Sequence, residues 1–314
     1  MRVWRLFVMG LLLSAMVTSV STNDVLTMRI AYSPTPFNLP TIVLRRQGYL
    51  EKELTPLGWK VKWIAEPPTA ALVAKALAAG ALDMAIVDDT SLVYVKAAGN
   101  EIAVLAPYSI APGAFAVVVP IKGEVQNIKA LAGKRAGLPI DTTAYYLLAR
   151  TLEAEGLSLG KVEVVDMTPD EAAAALAGKR LDAAVLAEPI LSREVAAGKV
   201  RVLKDGTGQI GGLTIAVARP RFLENEEAMD HYKEAVEAAL KFIADNPAGA
   251  MKLASQETHL SLDLVRKIAA KYTFTGLSRA EMLLDLTKTA DFLADRGLIA
   301  RRMTLKELVG CACE

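Results

Sequence analysis

The chain has 314 residues, of which 53% are hydrophobic but only 6% aromatic, and its 36 basic and 35 acidic residues give a formal net charge of +1. This length suffices for two ordinary domains with buried cores, and the interspersed charge gives no sign of a nucleic-acid-binding surface. The only cysteines, Cys311 and Cys313, and the only histidines, His231 and His259, exclude a disulfide framework and a histidine-rich metal site. They also leave few candidates for a Ser-His-Asp triad.

The first 21 residues have the three parts of a secretory signal peptide. Arg2 and Arg5 supply the positive start, and the apolar run at residues 6–17 is too short to span a bilayer comfortably. Ser19 and Ser21 stand at −3 and −1 of a cleavage point before Thr22. We therefore expect residues 1–21 to be a signal peptide and the protein to be periplasmic or extracellular. An uncleaved membrane anchor is the alternative.

Short apolar segments then alternate with amphipathic helices, which is the pattern of an α/β protein. Ten strands are predicted, at residues 28–32, 60–65, 83–87, 102–106, 114–119, 135–138, 162–165, 182–186, 200–203 and 213–218. After Pro220 the pattern becomes purely helical. Ser278 with Glu281, and Thr304 with Glu307, have the spacing of capping boxes that open helices.

Two stretches about a hundred residues apart resemble each other. Residues 76–89 read ALAAGALDMAIVDD and residues 175–188 read ALAGKRLDAAVLAE. Each predicts a helix that ends near a glycine (Gly80, Gly178), then Leu-Asp, a buried strand and a carboxylate. The repeat indicates two similar α/β lobes, with chance similarity in an alanine-rich chain as the alternative.

Prolines and glycines interrupt the pattern at residues 106–113 and again at residues 208–212. One crossing out and one crossing back would form a two-strand hinge, and proteins built in this way close around a ligand. We predict that residues 22–109 and 213–314 form the first lobe, which includes the C-terminal helices, and that residues 110–212 form the second lobe.

Several short motifs, each weak alone, occur in a specific order. They are the strand at residues 29–32, GYLEK at 48–52, the segment at 76–85, LAGKR at 131–135, the Gly-Leu pair at 156–157 and the segment at 182–189. In these features the chain resembles, over residues 28–303, the periplasmic binding proteins for nitrate, taurine and alkanesulfonates and the relatives that bind thiamine precursors. The resemblance implies a type II periplasmic-binding-protein fold with a mixed five-stranded sheet in each lobe. It also implies that the chain after the second crossing completes the first lobe.

Ligands of open α/β sheets bind beyond the carboxyl ends of strands, where helix N-termini point inward. This rule selects the loops at residues 33–38, 67–70, 88–91, 140–143 and 187–189 and the aromatic residues beside them. The candidate ligand-binding residues are Tyr32, Ser33, Thr69, Asp89, Thr90, Tyr108, Asp141, Thr142, Thr143 and Glu188. Plain helix capping is the alternative role for the serine, threonine and aspartate residues.

Asp89 and Glu188 occupy equivalent positions of the repeat and are expected to face one cleft from opposite lobes. No lysine or arginine occurs in the selected loops, and acids oppose the binding of an anion. We therefore predict a small polar ligand with an amine or another donor-rich group, held by these two carboxylates, in place of a simple anion such as nitrate. In the alternative, Asp88 and Asp89 cap the next helix and point away from the cleft.

The predicted function is that of an extracytoplasmic solute-binding protein of an ABC importer, a monomer that acts with a membrane permease and has no cofactor and no catalytic activity. Two alternatives remain. An enzyme of the same fold, similar to the pyrimidine synthase of thiamine biosynthesis, would depend on a cysteine-rich segment, and no cysteines cluster near the predicted cleft. A periplasmic sensor that passes its ligand state to a membrane receptor is the other alternative that the sequence does not exclude.

Overall fold

The computed structural model of the protein describes residues 26–32, 37–65, 70–274 and 278–309. The predicted signal peptide at residues 1–21, the predicted ligand contacts Ser33 and Thr69, and the cysteines Cys311 and Cys313 lie outside the described residues. Within the described residues, no helix has both the length and the apolar composition needed to cross a membrane.

The ten predicted strands are confirmed. They are β1 (Leu26–Tyr32), β2 (Trp59–Ala65), β3 (Met84–Asp88), β4 (Ala103–Ile110), β5 (Phe115–Pro120), β6 (Arg135–Leu138), β7 (Glu163–Asp166), β8 (Ala183–Ala187), β9 (Val200–Asp205) and β10 (Leu213–Ala218). β4 continues past its predicted end at residue 106, through Pro107, to Ile110. Proline is tolerated there because β4 is an edge strand whose register shifts beside Pro107.

Helices follow most of the strands and form the whole C-terminal part of the described chain. They are α1 (Leu39–Gln47), α2 (Tyr49–Leu54), α3 (Ala70–Ala78), α4 (Asp89–Ala97), α5 (Thr143–Ala154), α6 (Pro169–Ala177), α7 (Ile190–Ala196), α8 (Glu226–Asp245), α9 (Pro247–Thr258), α10 (Leu262–Ala269), α11 (Arg279–Asp295) and α12 (Leu305–Val309). The capping box predicted from Ser278 and Glu281 opens α11. The hydroxyl group of Thr304 likewise binds Glu307 before α12.

The strands form two mixed five-stranded sheets with the same plan. The first has the order β2-β1-β3-β10-β4 and the second the order β7-β6-β8-β5-β9. In each sheet four strands run in the same direction, and the strand that follows a crossing is inserted antiparallel between two of them, β10 between β3 and β4 and β5 between β8 and β9. The chain therefore forms two α/β lobes, as the repeat indicates, and β10 completes the first sheet.

The two Leu-Asp pairs of the repeat make the same contacts in both lobes. The carboxylate of Asp83 accepts a hydrogen bond from the Arg29 amide at 2.7 Å, and the carboxylate of Asp182 accepts one from the Arg135 amide at 2.9 Å. The amide groups of the two aspartates donate in return to the carbonyl groups of the same arginines. These hydrogen bonds fix the start of a parallel strand in each lobe, so the repeated Leu-Asp pair has the same structural role in both.

Two chain crossings connect the sheets. The first runs from β4 to β5, the second runs from β9 to β10, and they are hydrogen-bonded to each other from the Ala111 amide to the Gly212 carbonyl at 3.0 Å. One buried hydrophobic cluster includes residues of both lobes, among them Leu92 of α4 and Ala144 of α5. The rings of Tyr146 and Phe292 meet across the same interface at 5.1 Å. These contacts place the N-termini of α4 and α5 against each other.

Candidate ligand-binding site

The Asp88 carboxylate connects the two lobes. Asp88 ends β3 and caps α4, since its Oδ1 accepts a hydrogen bond from the Ser91 amide at 2.8 Å and its Oδ2 accepts one from the Ser91 hydroxyl at 2.7 Å. Oδ1 also accepts hydrogen bonds from the amide and the hydroxyl of Thr143, at 3.2 and 2.8 Å, from the first turn of α5. The half-buried carboxylate of Asp88 therefore lies between two helix N-termini that belong to different lobes.

Asp89 is the first residue of α4 and is only 1% exposed. Its Oδ1 accepts the Thr90 amide at 2.7 Å and lies 3.3 Å from the Thr143 hydroxyl, and its Oδ2 accepts the hydroxyl of Thr289 on α11 at 2.9 Å. Burial, and then the charge of Asp88, raise the pKa of Asp89 to about 7. The capping alternative thus applies to Asp88, whereas Asp89 is a buried acid surrounded by hydroxyl groups.

Glu188 follows β8 and is completely buried. Ser192 donates to both of its oxygens, from its hydroxyl group at 2.7 Å and from its amide at 3.1 Å. The Glu188 carboxylate also forms an ion pair with Lys271, which lies just after α10 in the other lobe. A second contact between the lobes runs from the Phe37 amide to the Glu188 carbonyl at 3.0 Å.

A basic side chain from outside the selected loops reaches Glu188. Lys271 lies outside those loops in sequence and still reaches the carboxylate in the fold. Asp89 and Glu188 also engage different protein groups, because Asp89 binds hydroxyl groups of α4, α5 and α11 whereas Glu188 binds Ser192 and Lys271.

Asp141 lies beside two tyrosine side chains at the junction of α4 and α5. Its backbone is left-handed, with φ of 58°, and burial together with the charge of Asp166 raises its pKa. Tyr94 lies at the same junction, where burial and then the charges of Asp141 and Tyr145 raise its pKa. Among the described residues, the buried Tyr94 hydroxyl has no hydrogen-bond partner. No sequence pattern pointed to Tyr94, which lies in the middle of α4.

The remaining threonines have local roles at helix starts. Thr142 is the N-cap of α5, where its hydroxyl group accepts the Ala144 amide at 3.3 Å and donates to the Pro139 carbonyl at 2.8 Å. Thr90 and Thr143 are buried beside Asp89. The structure thus brings Asp89, Thr90 and Thr143 together, with Thr142 and Asp141 immediately before them.

Tyr32 and Tyr108 have their own partners within the first lobe. The Tyr32 hydroxyl donates to Glu257 at 2.7 Å, and the guanidinium group of Arg45 lies 4.3 Å from the centre of its ring. Tyr108 is buried, its hydroxyl group lies 2.9 Å from the Thr41 hydroxyl, and burial raises its pKa to about 12. Neither tyrosine hydroxyl contacts the group around Asp88 and Asp89 in these hydrogen bonds.

A cavity of about 330 Å³ lies beside the hinge. Its walls come from the two crossings, from β5, β9 and α7, and from the first lobe: Pro112, Gly113, Ala116, Leu191, Val202, Asp205, Thr207 and Lys271. This volume is at the lower end of the range for small-molecule pockets. Lys271 lines the cavity and also binds Glu188, so the cavity adjoins the contact between the lobes.

A single cluster of three metal-ligating side chains occurs in the part of the chain that the structure describes. Nδ1 of His231 lies 3.3 Å from a carboxylate oxygen of Glu53 and 3.3 Å from one of Glu234. These residues belong to α2 and α8, which carry none of the contacts around Asp88 and Asp89 described above. Partly exposed groups of this kind form ion pairs without a metal.

Two mixed five-stranded sheets joined by two crossings, with the carboxyl ends of their strands meeting at one site, define a periplasmic-binding-protein fold. The solved structures agree. The chain superimposes on the alkanesulfonate-binding protein SsuA from Xanthomonas axonopodis pv. citri bound to MOPS with a TM-score of 0.80 and 23% identity, over 90% of this chain and 97% of that one. The periplasmic aliphatic sulphonate-binding protein SsuA from Escherichia coli gives a TM-score of 0.75 and 21% identity, over 90% of this chain and 97% of that one.

The chain belongs to the NMT1/THI5-like family, whose family model matches residues 36–250. It is 29% identical to a putative aliphatic sulfonates-binding protein of Escherichia coli K12 over 163 residues, and this matched stretch covers 51% of this chain and 50% of that protein. It is 30% identical over 129 residues to the taurine-binding periplasmic protein of the same organism, 40% of each chain. The chain thus spans about half the length of the curated relatives it matches or less.

Proposed function

We propose that the protein is the extracytoplasmic solute-binding component of an ABC importer and that its lobes close on a small polar ligand. The observation that carries this proposal is the pair of contacts between Asp88 and Thr143, which join the strand-end loops of the two lobes. The names of the relatives, which are binding proteins for sulfonates and taurine, support it. A membrane permease would be the partner of the closed form. No catalytic residue and no cofactor form part of the proposal.

We further propose that the ligand carries an amine or another strong hydrogen-bond donor. Asp88 and Asp141 stand at the junction of the lobes, and burial together with the charge of Asp166 raises the pKa of Asp141, so a cationic or donor group beside this carboxyl group would be favoured. The Tyr94 hydroxyl, which has no hydrogen-bond partner in the part of the chain that the structure describes, adds a further polar group. The predicted contacts Asp89, Thr90, Thr142, Thr143 and Glu188 surround this junction or adjoin it, and they remain proposals as ligand contacts, as do Tyr32, Ser33, Thr69 and Tyr108.

Thermal unfolding of the protein from Thr22 onward, with ligands in matched pairs, tests both proposals. Taurine and ethanesulfonate differ by an amine, and an aminopyrimidine can be compared with the pyrimidine that lacks the amino group. A ligand at about a thousand times its dissociation constant stabilises by about 4 kcal/mol, which raises the melting temperature by several degrees. We expect a shift with the amine-bearing member of a pair and a smaller shift, or none, with its partner.

Asp141→Asn provides the matched variant for this test. Asparagine tolerates the left-handed backbone at this position, so the fold is retained while the charge is lost. We expect affinity for the amine-bearing ligand to fall at least about tenfold, the size of a lost charge-assisted hydrogen bond. Asp170→Asn, which removes an exposed acid from the same lobe, should leave affinity unchanged. Binding of sulfonates or nitrate alone would support a binding protein and contradict the proposed ligand class.

A further inference from the structure

We infer that the Asp88 carboxylate occupies the place between the N-termini of α4 and α5 that an anionic ligand group would otherwise take, and that Asp88 thereby makes the cleft select against anions. The inference rests on the proposed function, because it concerns the specificity of the same cleft. It identifies Asp88 as a specificity-determining residue, although Asp88 is not among the ligand contacts that the sequence predicts.

The contacts of Asp88 are those of a bound oxyanion. Two backbone amides, from Ser91 and Thr143, and the hydroxyl groups of the same two residues converge on its two oxygens at 2.7 to 3.2 Å. Helix N-termini bind sulfate, phosphate and carboxylate in this way because their first amides lack partners within the helix and the helix dipole favours negative charge. Here the carboxylate is that of Asp88, a residue of the first lobe, and it lies where a bound anion would otherwise contact both helix N-termini.

The two helices that converge on Asp88 belong to opposite lobes. α4 follows β3 of the first sheet, and α5 follows β6 of the second. A group that binds both N-termini at once therefore holds the lobes together, which is what a ligand does in a protein that closes around it. Asp88 supplies part of that link without a ligand, and a ligand has to bind beside the carboxylate.

The charges around Asp88 oppose a second anion. Asp141 adjoins the junction, where its carbonyl oxygen lies 3.4 Å from the Ser91 hydroxyl, and burial together with the charge of Asp88 raises the pKa of Asp89. A sulfonate or sulfate would have to displace the Asp88 side chain to reach the four donors, or bind beside it against like charge. A cationic or neutral donor meets neither obstacle.

Replacement of Asp88 by glycine tests the inference because it frees all four donors and opens space for an oxyanion. Asp88→Asn is the matched control, since asparagine removes the charge and still fills the place. The backbone at this position is extended, with φ of −75° and ψ of 154°, so neither residue is strained, and glycine at an N-cap costs only a few tenths of a kcal/mol. Sodium ethanesulfonate and sodium sulfate are the probes, at an ionic strength held constant with sodium chloride.

Isothermal titration calorimetry of the three proteins gives the result directly. We expect Asp88→Gly to bind ethanesulfonate and sulfate at least about tenfold more tightly than the wild type, and Asp88→Asn to stay close to the wild type. Calorimetry is preferred to thermal shifts here because sulfate stabilises proteins without binding. If Asp88→Gly does not fold, Asp88→Ser retains a capping oxygen, is smaller than aspartate and carries no charge.

Two results would overturn the inference: anion binding by the wild type as tight as by Asp88→Gly, or equal gains in Asp88→Gly and Asp88→Asn. Tight sulfonate binding by the wild type would leave the proposed solute-binding function standing. A gain confined to Asp88→Gly in a protein that binds no amine would support the inference and contradict the proposed ligand class. The experiments therefore distinguish a failure of the inference about Asp88 from a failure of the proposed function.

Discussion

Asp89 couples the interface between the lobes to pH. Burial raises its pKa from the ordinary value of 3.8 to about 7, so the folded protein retains a proton that the unfolded chain has lost. A group with a raised pKa contributes stability that is fully present below the pKa of the unfolded state and is lost as the pH rises through the folded-state pKa. Between pH 5 and pH 8 the wild type should therefore lose the contribution of Asp89.

Asp89→Asn should abolish this loss. Asparagine does not ionise, its carbonyl oxygen still accepts the Thr90 amide, and its amide group can donate to the Thr289 hydroxyl, which occupies the other side of the site. Relative to the wild type, we expect the variant to gain at least about 1 kcal/mol of unfolding free energy between pH 5 and pH 8, since each unit of pKa shift corresponds to about 1.4 kcal/mol. Urea denaturation at both values measures it.

The control for this experiment is Glu227→Gln, at an exposed acid in the first turn of α8. Its stability difference from the wild type should be small at both pH values. A difference for Asp89→Asn that does not change with pH would show that Asp89 is ionised in the folded protein.

For individual residues, the sequence pointed to the two acids, Asp89 and Glu188, but not to the side chains that bind them. Alignment of the repeat predicted Asp89 and Glu188 because both follow a buried strand at equivalent positions. Lys271, 83 positions from Glu188, and Thr289, 200 positions from Asp89, belong to the C-terminal part of the chain. No local pattern relates such distant residues, because the packing of α11 against α4 brings Thr289 to Asp89 and the packing of α10 against α7 of the second lobe brings Lys271 to Glu188.

Secondary-structure elements were more predictable than the site. All ten strands were predicted because each is a short apolar run between polar turns, and the helix starts were predicted from local capping signals such as Ser278 with Glu281. The extension of β4 was missed because Pro107 normally ends a strand. It is accommodated only because β4 lies at the sheet edge beside a register shift.

The helix ends of the repeat differ in a way that the glycine pattern did not predict. The left-handed residue after α3 is Gly80, with φ of 69°, but the equivalent residue after α6 is Lys179, with φ of 57°, and not the neighbouring Gly178. A residue with a Cβ atom is strained in this conformation, whereas glycine adopts it readily. The second lobe thus carries a strain that the first lobe avoids.

Lys179→Gly should therefore stabilise the protein by about 0.5–1 kcal/mol through relief of the backbone strain. The greater conformational freedom of glycine in the unfolded chain opposes this gain and reduces it. Gly80→Ala is the reciprocal variant and should be destabilising, because its Cβ atom would lie 3.1 Å from Nη1 of Arg219 in addition to the strained backbone. Chemical denaturation of both variants gives the comparison. Destabilisation by Lys179→Gly would mean that the lysine side chain makes contacts that outweigh the strain.

For the whole molecule, the sequence predicted two lobes and two crossings, because prolines and glycines interrupt an otherwise regular pattern at both places. It did not predict how closely the crossings pack. A Cβ atom on Gly212 would lie 2.6 Å from the carbonyl carbon and oxygen of Ala111 and 2.7 Å from the Pro112 nitrogen. Glycine is needed there because one backbone lies directly against the other where the two crossings between the lobes meet.

Gly212→Ala should consequently loosen the contact between the lobes. The crossings have to separate to admit the methyl group, which should weaken the hydrogen bond from the Ala111 amide to residue 212 and draw Thr143 away from Asp88. We expect faster hydrogen exchange in a peptide that covers residues 141–146 and a larger radius of gyration by small-angle X-ray scattering.

Gly208→Ala is the matched control for the hinge. Gly208 lies in the same crossing and has a similar left-handed backbone, with φ of 75°, but nothing lies within 4 Å of the position of an added Cβ atom. It should cost only the backbone strain, about 1 kcal/mol, and leave exchange at residues 141–146 unchanged. The two variants share the backbone strain and differ only in the steric contact. Faster exchange in Gly212→Ala alone would therefore show that the packing of the two crossings holds the lobes in their arrangement. Equal exchange in both variants would mean that the contacts of Asp88, Glu188 and the apolar interface hold the lobes in place without it.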